Sequence, residues 1–393
     1  MPRWLLLVAA MSAVGPVSID MYLPGFPAIE REFRQQGVEA TMAAYLLGIV
    51  IGQLFYGPIS DRYGRKPPLY VGFALYTLGA LGCALSTSMP MLIAMRVLQA
   101  LGGCSGLVIG RAIVRDRCEP HEAARVFTTL MMIVALGPVL APAAGGMVVA
   151  SLGWRATFAF QAAVGVALAI AAYKVLVETR VPAPDARLHI GTVARTYLRL
   201  CTDRVFVGYS LLGGFGMAGM FSYVTGAPTV LTQVYGLSTR QFGWLIGLNG
   251  FAFMTASRLN LMSLRTLGPA QVVARYVAVP PVLAALLVLL TTMMQLPLWL
   301  LVALQLSFFV SVGRVGPNVA ALALAPHGRE AGTASALMGA LQSVLSTLAG
   351  VAVAIFNDGT VRTLATIMLA GAAGSWLCYA WVRSASAVTS VSR

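Results

Sequence analysis

Two ionisable side chains in apolar surroundings are the first candidates for chemistry. Asp20 is the only acidic residue within a predicted membrane span, and Arg96 is a cation inside another. A charge at the centre of a membrane helix costs about 2.5–3.5 kcal/mol on insertion scales, so such residues face a polar cavity or a charged partner. A cavity carboxylate can change its protonation state when a neighbouring arginine moves. This pattern predicts proton coupling.

The expected depths of Asp20 and Arg96 favour a pairing between them. Asp20 lies six residues before Phe26, and Arg96 lies six residues after Pro90, near the outer ends of two oppositely directed helices. At 1.5 Å per residue, both side chains lie about 9 Å below the outer surface. We expect Asp20 to be the proton-coupling carboxylate and Arg96 its switching partner. The alternatives are a structural, helix-capping Asp20 and an Arg96 that snorkels to the interface.

The composition argues against an enzyme. Apolar residues make up 58% of the 393 residues and charged residues only 10%, which is too little charge to cover a soluble globule of this size. There is no phosphate-binding GxxxxGK[ST] loop, no set of nucleophile and base, and no metal cluster. The five cysteines have no metal-ligand spacing: Cys83, Cys104, Cys118, Cys201 and Cys378. We expect no cofactor and no bound metal.

The apolar runs predict an all-α integral membrane protein with twelve transmembrane helices. Their approximate bounds are 4–26, 40–60, 68–88, 90–113, 126–150, 155–176, 204–225, 240–260, 271–292, 297–320, 331–355 and 361–382. The longest polar connection, 177–203, separates an N-terminal six-helix half (1–176) from a C-terminal one (204–393). An amphipathic stretch from Ile190 to Leu200 in this connection is expected to lie on the inner membrane surface.

The basic residues orient the chain. Most of the 27 Lys and Arg residues fall on one side of the predicted helices. Five fall on the other side: Arg31, Arg34, Arg155, Arg240 and Arg362. Because positive charge stays on the cytoplasmic side, both termini are predicted to be cytoplasmic, in a multi-pass protein of the bacterial inner membrane. The net charge of +14 then indicates contact with membrane lipid rather than nucleic acid.

A charged loop joins the second and third predicted helices. Its informative residues are Gly57, Asp61, Arg62, Gly64, Arg65 and Lys66. Gly64 permits a positive φ in a tight turn, and Gly57 lets two helices approach closely. Asp61 can form charge-assisted pairs with Arg62 and Arg65, which would latch two helices in one conformation and release them in another. This run resembles the loop motif of the major facilitator superfamily.

Two further runs resemble motifs of the same superfamily. Arg96, Gln99, Gly102 and Gly103 are similar to its fourth-helix motif. In the fifth predicted helix, the run of Gly137, Pro138, Pro142, Gly145 and Gly146 resembles the antiporter motif that its exporters carry. Two prolines four residues apart are expected to remove two backbone donors and bend the helix, and the small residues permit close packing. The resemblance implies export by antiport rather than uptake by symport.

The resemblance extends to one branch of the superfamily. The runs 18–27, 317–324 and 331–337 are similar to the Bcr/CflA branch of bacterial exporters of bicyclomycin, chloramphenicol and related compounds. One departure is visible, because the second-half counterpart of the loop motif keeps Arg258 and Arg265 but lacks an acid. That loop therefore lacks the acid with which the first-half loop can form its charge-assisted pairs.

Together these patterns predict a proton-coupled antiporter that exports amphiphilic small molecules or drugs by alternating access, without a cofactor and as a monomer. A substrate pocket is expected between the halves, because aromatic and methionine side chains adapt to varied apolar compounds. Its candidates are Tyr22, Tyr45, Gln53, Phe215, Met217, Met220, Phe221, Tyr223, Asn249 and Phe253. The alternatives are an exporter of sugars, amino acids or small peptides, and a non-transporting membrane sensor.

Overall fold

Helices form every regular element that the structure describes. It is a computed structural model, and it describes residues 2–35, 38–134, 137–180, 190–237, 239–356 and 359–391. Ten helices in these ranges are long and apolar enough to cross a membrane. A spanning helix satisfies its backbone hydrogen bonds internally, which is why long apolar runs adopt this form.

The first eight helices cover the region predicted to hold six spans. They are α1 (Arg3–Asp20), α2 (Phe26–Phe33), α3 (Glu39–Tyr63), α4 (Lys66–Ala84), α5 (Met89–Arg117), α6 (Pro120–Val134), α7 (Gly137–Leu152) and α8 (Trp154–Val175). The short α2 follows a 3-10 turn at Leu23–Gly25. It is tied to α8 because Trp154 Nε1 and Arg155 Nη1 donate to the Glu32 carboxylate at 2.8 and 2.7 Å.

Eight more helices follow. They are α9 (Ile190–Thr202), α10 (Arg204–Thr229), α11 (Thr239–Ser263), α12 (Pro269–Tyr276), α13 (Val279–Met293), α14 (Leu298–Leu324), α15 (Ala331–Phe356) and α16 (Val361–Val391). A π-helical turn, Val230–Val234, continues α10, and a 3-10 turn, Ala325–Glu330, joins α14 to α15. The predicted amphipathic stretch is thus a helix, α9, while residues 181–189 of the same connection lie outside the described residues.

Two predicted spans are interrupted next to a proline. The first ends as an α-helix at Asp20, before the turn that contains Pro24. The ninth consists of α12 and α13. In the fifth, α6 and α7 flank residues 135 and 136, which lie outside the described residues. Pro280 stands in the first turn of α13, where a missing N–H costs nothing because the first four N–H groups of a helix have no intrahelical partner.

The contacts divide the chain into two compact units. Unit 1 contains Met1–Arg117, Ile133–Tyr197 and His327–Leu337; unit 2 contains Cys118–Met132, Leu198–Pro326 and Met338–Arg393. In unit 1, α5 packs against α3 and α4, and α4 packs against α8. In unit 2, α10 packs against α14 and α16, and α11 packs against α14. The half boundaries at residues 176 and 204 stay a prediction.

Candidate functional site

The predicted loop motif forms a tight turn between α3 and α4. Gly64 has a φ of +88°, as predicted, and it is followed at once by the first residues of α4. Gly57 lies where α3 crosses α15, and a Cβ added to it would stand 2.5 Å from the Ala336 Cβ and 2.6 Å from the Gly332 carbonyl oxygen. The prediction of a close helix approach at Gly57 is therefore confirmed, and its partner is the start of α15.

Arg65 is the centre of a buried charge cluster in this turn. Its Nη1 donates to Asp61 Oδ1 at 2.7 Å, and its Nε and Nη2 donate to the Asp116 carboxylate at 2.8 and 3.1 Å. The Arg65 side chain is fully buried. Burial lowers the pKa of the Arg65 guanidinium, but the hydrogen bonds and charges of Asp116 and Asp61 outweigh burial and raise that pKa overall. The cation therefore stays charged and holds both carboxylates.

Asp61 also caps the N-terminus of α15. Its carboxylate accepts hydrogen bonds from Gly332 N at 2.9 Å, Thr333 N at 2.6 Å and Thr333 Oγ1 at 2.7 Å. A carboxylate at this position satisfies free N–H groups and interacts favourably with the positive end of the helix dipole. We call Asp61, Arg65, Asp116, Gly332 and Thr333 the loop-motif cluster. It joins α3 to α15, which belong to different predicted halves.

Two partners of this cluster were not predicted from the sequence. Asp116 lies just after the fourth predicted span, between Arg115 and Arg117, and nothing in the local sequence indicates that it binds Arg65. Glu178 lies in the predicted connection 177–203, and its carboxylate accepts hydrogen bonds from the backbone N–H groups of Arg65 and Lys66. Both contacts join residues far apart in sequence, so local spacing carries no signal for them.

Arg96 is fully buried in an aromatic cage on α5. Its guanidinium carbon lies 4.1 Å from the Tyr45 ring centroid and 4.4 Å from that of Tyr22, with Phe158 at 5.7 Å. Such cation–π contacts are worth about 2 kcal/mol when desolvated. Tyr22 and Tyr45, predicted to line the pocket, thus contact Arg96, and the prediction that Arg96 does not face lipid is confirmed by its burial.

Glutamine side chains extend the Arg96 environment. Arg96 Nη1 donates to Gln99 Oε1 at 2.8 Å, and Gln99 Nε2 donates to Gln161 Oε1 at 2.7 Å. Within the described residues, Arg96 Nε and Nη2 have no hydrogen-bond acceptor. The cation therefore retains two unused donors, which a carboxylate or a polar ligand could accept in another conformation.

The structure does not bring Asp20 and Arg96 into an ion pair. Among the described residues, the ion pairs are Arg65–Asp61, Arg65–Asp116 and Arg155–Glu32. Asp20 is half-buried and is the last residue of α1. The depth estimate assumed a straight helix to Phe26, whereas the chain turns after Asp20 and places the Tyr22 ring against Arg96.

The predicted antiporter helix packs closely against the first helix. A Cβ on Gly137 would lie 2.9 Å from the Pro16 Cβ, and a Cβ on Gly145 would lie 1.8 Å from the Met21 carbonyl oxygen. The predicted close packing of small residues is therefore confirmed for Gly145, and Gly137 adds a second close contact. Around Gly146, no atom of the described residues lies within 4 Å of such a Cβ.

Bending of the fifth predicted helix by two prolines stays a prediction. Pro142 lies inside α7. Pro138 follows residues 135 and 136, which lie outside the described residues.

Most pocket candidates of the predicted second half are packed against neighbouring helices. Met220 and Tyr223 belong to the buried core of unit 2, and Met217 and Phe253 pack against that core. Phe215 packs against α16 at Gly374, where an added Cβ would stand 2.7 Å from the Phe215 ring. These positions are helix–helix contacts in the observed conformation.

Three pocket candidates differ from this packed group. Phe221 is 40% exposed, so its ring is available to lipid or ligand. Asn249 is almost buried, and its Oδ1 accepts a hydrogen bond from Gln305 Nε2 at 2.6 Å. Gln53 is buried in α3, and its Oε1 has no partner among the described residues.

Unit 2 contains a buried neutral network that the sequence did not predict. Asn260 Nδ2 donates to Thr128 Oγ1 at 2.7 Å, and Asn318 Nδ2 donates to Asn260 Oδ1 at 2.9 Å. Beside this network, His121 Nε2 and the exposed cation Arg125, through Nη2, both contact the Leu264 carbonyl oxygen, at 2.7 and 2.9 Å. These bonds tie α6 to the end of α11, next to the loop that lacks an acid.

Comparison with known proteins gives the family. A sequence model of the Major Facilitator Superfamily matches residues 8–351. The chain is 34% identical to the "Uncharacterized MFS-type transporter YdgK" of Bacillus subtilis (strain 168), over 92% of this chain and 90% of that protein. It is 29% identical to the "Bicyclomycin resistance protein homolog" of Haemophilus influenzae, over 97% and 96%. It is also 29% identical to "Multidrug resistance protein D" of Escherichia coli (strain K12), over 93% and 92%.

Solved structures share the fold. The human organic anion transporter MFSD10 (TETRAN) superposes with a TM-score of 0.75 at 18% identity, over 97% of this chain and 99% of that one. The proton:xylose symporter XylE superposes with a TM-score of 0.74 at 15% identity, over 95% and 94%. The predicted twelve-helix fold is confirmed, and the named relatives are consistent with the Bcr/CflA branch. The chain belongs to the major facilitator superfamily and is a membrane transporter, not an enzyme.

Proposed function

We propose that this transporter is a proton-coupled antiporter that exports amphiphilic small molecules across the bacterial inner membrane. The observation that carries the proposal is the isolation of Asp20. Three acidic residues lie in the candidate spans of the described chain, and two of them, Asp61 and Asp116, bind Arg65. Asp20 has no ion pair there, so it is the carboxylate that is free to exchange a proton with each transport cycle.

Arg96 is the proposed switching partner of Asp20. In the observed conformation Tyr22 and Tyr45 hold Arg96, and two of its donors have no acceptor among the described residues. A buried cation without a carboxylate partner is costly, which favours a second conformation in which Arg96 meets one. Proton binding to Asp20 would release Arg96 to its aromatic cage, and substrate binding to the ionised Asp20 would compete with the proton.

Alternating access requires a set of contacts between helices that forms in one conformation of the transporter and breaks in another. The loop-motif cluster is suited to this role because it joins α3 to α15, and these helices belong to the proposed halves 1–176 and 204–393. Its hydrogen bonds are short and charge-assisted, so they are strong when formed and local enough to break together. We propose that this cluster closes the cytoplasmic side.

The substrate class is proposed from the relatives and the exposed aromatic residues. Two relatives are named for resistance to bicyclomycin and to multiple drugs, and a membrane transporter would confer resistance by exporting the drug. Phe221 on α10 is exposed and offers an apolar contact to such a compound. A monomer of this chain would then carry the proton site and the substrate site together.

Transport by everted membrane vesicles tests the proposal. Vesicles that express the chain should accumulate a compound such as ethidium or chloramphenicol when a proton gradient is imposed, and nigericin should abolish the accumulation. A competition panel of amphiphilic drugs against sugars, amino acids and small peptides identifies the substrate class. Competition by metabolites alone would favour a metabolite exporter, and no gradient-driven uptake of any compound would contradict antiport.

The orientation is tested separately. The basic residues predict that α9 is cytoplasmic and that the loop around Arg34 is external. Cys201 on α9 is exposed, so it can serve as a native probe in a chain whose other cysteines are replaced. An impermeant maleimide should label a cysteine introduced at Arg34 in intact cells and leave Cys201 unlabelled. The reverse result would invert the topology.

A further inference from the structure

We propose that Glu178, Thr179 and Arg180 form a strap that holds the loop-motif cluster together, with Glu178 as a positioning residue for transport. The strap follows the C-terminal end of α8 and each of its three side chains binds a different part of the α3–α4 turn or its partners. This inference rests on the proposed function, in which the loop-motif cluster forms and breaks in each cycle.

Glu178 binds the backbone at the start of α4. Its Oε1 accepts a hydrogen bond from Arg65 N at 2.8 Å, and its Oε2 accepts one from Lys66 N at 2.9 Å. The first N–H groups of a helix have no partner inside the helix and carry a partial positive charge, so a carboxylate is the ligand that suits them. Glu178 therefore fixes the main chain of Arg65 at the point where the turn ends.

The Glu178 carboxylate is also held in place by the backbone of the two residues that follow it. Glu178 Oε1 also accepts hydrogen bonds from Thr179 N at 3.0 Å and Arg180 N at 3.1 Å. These two backbone groups curl the chain around the carboxylate and prevent it from turning towards solvent. The strap is thus a preorganised anion that is presented to α4.

The other two side chains bind the acidic members of the cluster. Thr179 Oγ1 donates to Asp116 Oδ2 at 2.9 Å, the oxygen that also receives the Arg65 Nε–H. Arg180 Nε donates to the Asp61 carbonyl oxygen at 2.8 Å. Three consecutive residues therefore contact Arg65, Asp116 and Asp61.

Glu178 acts on the α15 contact indirectly. It does not touch α15; it fixes the Arg65 backbone, and the Arg65 side chain orients the Asp61 carboxylate that caps α15. If the strap loosens, Arg65 can shift, and Asp61 then loses its alignment with the two N–H groups of α15. Because the strap is the first stretch of the predicted connection 177–203, a displacement of that connection would reach the cluster by this route.

Hydrogen–deuterium exchange measures the cluster directly. The full chain is placed in nanodiscs of phosphatidylethanolamine and phosphatidylglycerol, without substrate or proton gradient, and exchange is followed for the amides of Arg65, Lys66, Gly332 and Thr333. We expect Glu178→Gln to raise the exchange rates of all four by about tenfold, because one carboxylate oxygen becomes an NH₂ group that cannot accept. Glu122→Gln, at an exposed acid on α6, is the matched control and should change none of them.

A double variant separates positioning from local structure. In an Asp61→Asn background the α15 amides have already lost their charged cap, so Glu178→Gln should add little further exchange at Gly332 and Thr333 while still acting on Arg65 and Lys66. An equal further increase at Gly332 and Thr333 in that background would overturn the proposed route through Asp61. Unchanged exchange at these two amides in the single variant would overturn the strap itself.

A second single variant guards against misfolding of the first. Thr179→Val removes the hydrogen bond to Asp116 and leaves the Glu178 contacts intact, so it should raise exchange at Gly332 and Thr333 less than Glu178→Gln does and leave Arg65 and Lys66 protected. Loss of protection throughout the chain in both variants would assign the strap a general role in folding and overturn the proposal. Exchange is measured without transport, so a chain that fails in vesicles still tests the strap.

Discussion

Replacing Gly145 with leucine should separate the first helix from α7 and abolish transport. The Cβ alone would stand 1.8 Å from the Met21 carbonyl oxygen, 2.7 Å from its carbonyl carbon and 3.1 Å from its Cα. Ordinary contact begins near 3.4 Å, and these atoms are backbone, so no side-chain rotation relieves the clash. Overpacking costs about 1–3 kcal/mol, and a clash against backbone falls at the upper end.

A cost of about 3 kcal/mol corresponds to a shift of about a hundredfold in the population of the packed arrangement. Gly146→Leu is the matched control, because no atom of the described residues lies within 4 Å of a Cβ at that neighbouring position. Both variants are compared with wild type for membrane expression, thermal unfolding and gradient-driven uptake into everted vesicles. Wild-type uptake by a well-folded Gly145→Leu protein would refute the close packing of α7 on the first helix.

Three further predictions concern separate contacts. Gly57→Leu should prevent α3 from meeting α15 and slow transport at least tenfold, whereas Gly316→Ala, at an open position, should not; uptake rates in vesicles decide this. Tyr45→Leu should lower the free energy of unfolding by about 2 kcal/mol through loss of the Arg96 cation–π contact, while Tyr45→Phe keeps the ring, and thermal unfolding compares the two. Hydrogen bonds from Trp154 and Arg155 hold the pKa of Glu32 below its usual range. The stabilisation from this link between α2 and α8 is therefore complete above about pH 4.3, the pKa of an unperturbed Glu. It is lost as the pH falls through the lower pKa that Glu32 has in the folded chain. A low-pH change in tryptophan fluorescence should therefore occur in wild type and be absent in Glu32→Gln.

The fold could be predicted from the sequence because the length of each apolar run and the placement of the basic residues are properties of whole helices. Every predicted span has a helical counterpart, and the errors are at prolines, where a run of apolar residues hides a break. The first span shows this clearly: the residues after Asp20 are apolar enough to continue the helix, but the structure turns there.

Only those parts of the candidate site could be predicted in which a single residue meets a local structural requirement. Gly64 needs a positive φ, and Gly57 needs a close neighbour, and both requirements can be inferred from glycine in a short loop motif. The partners of Asp61 and Arg65 could not be inferred in this way. Asp116 and Gly332 lie far along the chain, and only tertiary packing brings them to the turn.

The Arg96 environment illustrates the same limit. Burial of a cation in a membrane helix predicted a partner, and a carboxylate was the obvious choice. The structure supplies aromatic faces and Gln99 instead, because the turn after Asp20 carries Tyr22 towards α5. A side chain's depth along a helix could be estimated from the sequence, but its direction around the helix axis could not.

The role of Asp20 is tested most directly by gradient-driven transport in proteoliposomes that contain the purified chain. Wild type, Asp20→Asn and the control Glu122→Gln are compared with an imposed pH gradient and, separately, in substrate exchange without a gradient, using a compound identified by the competition panel. We predict that Asp20→Asn loses uphill transport and keeps exchange, while Glu122→Gln retains both. Uphill transport by Asp20→Asn at the wild-type rate would contradict the assignment of Asp20 as the proton-coupling carboxylate.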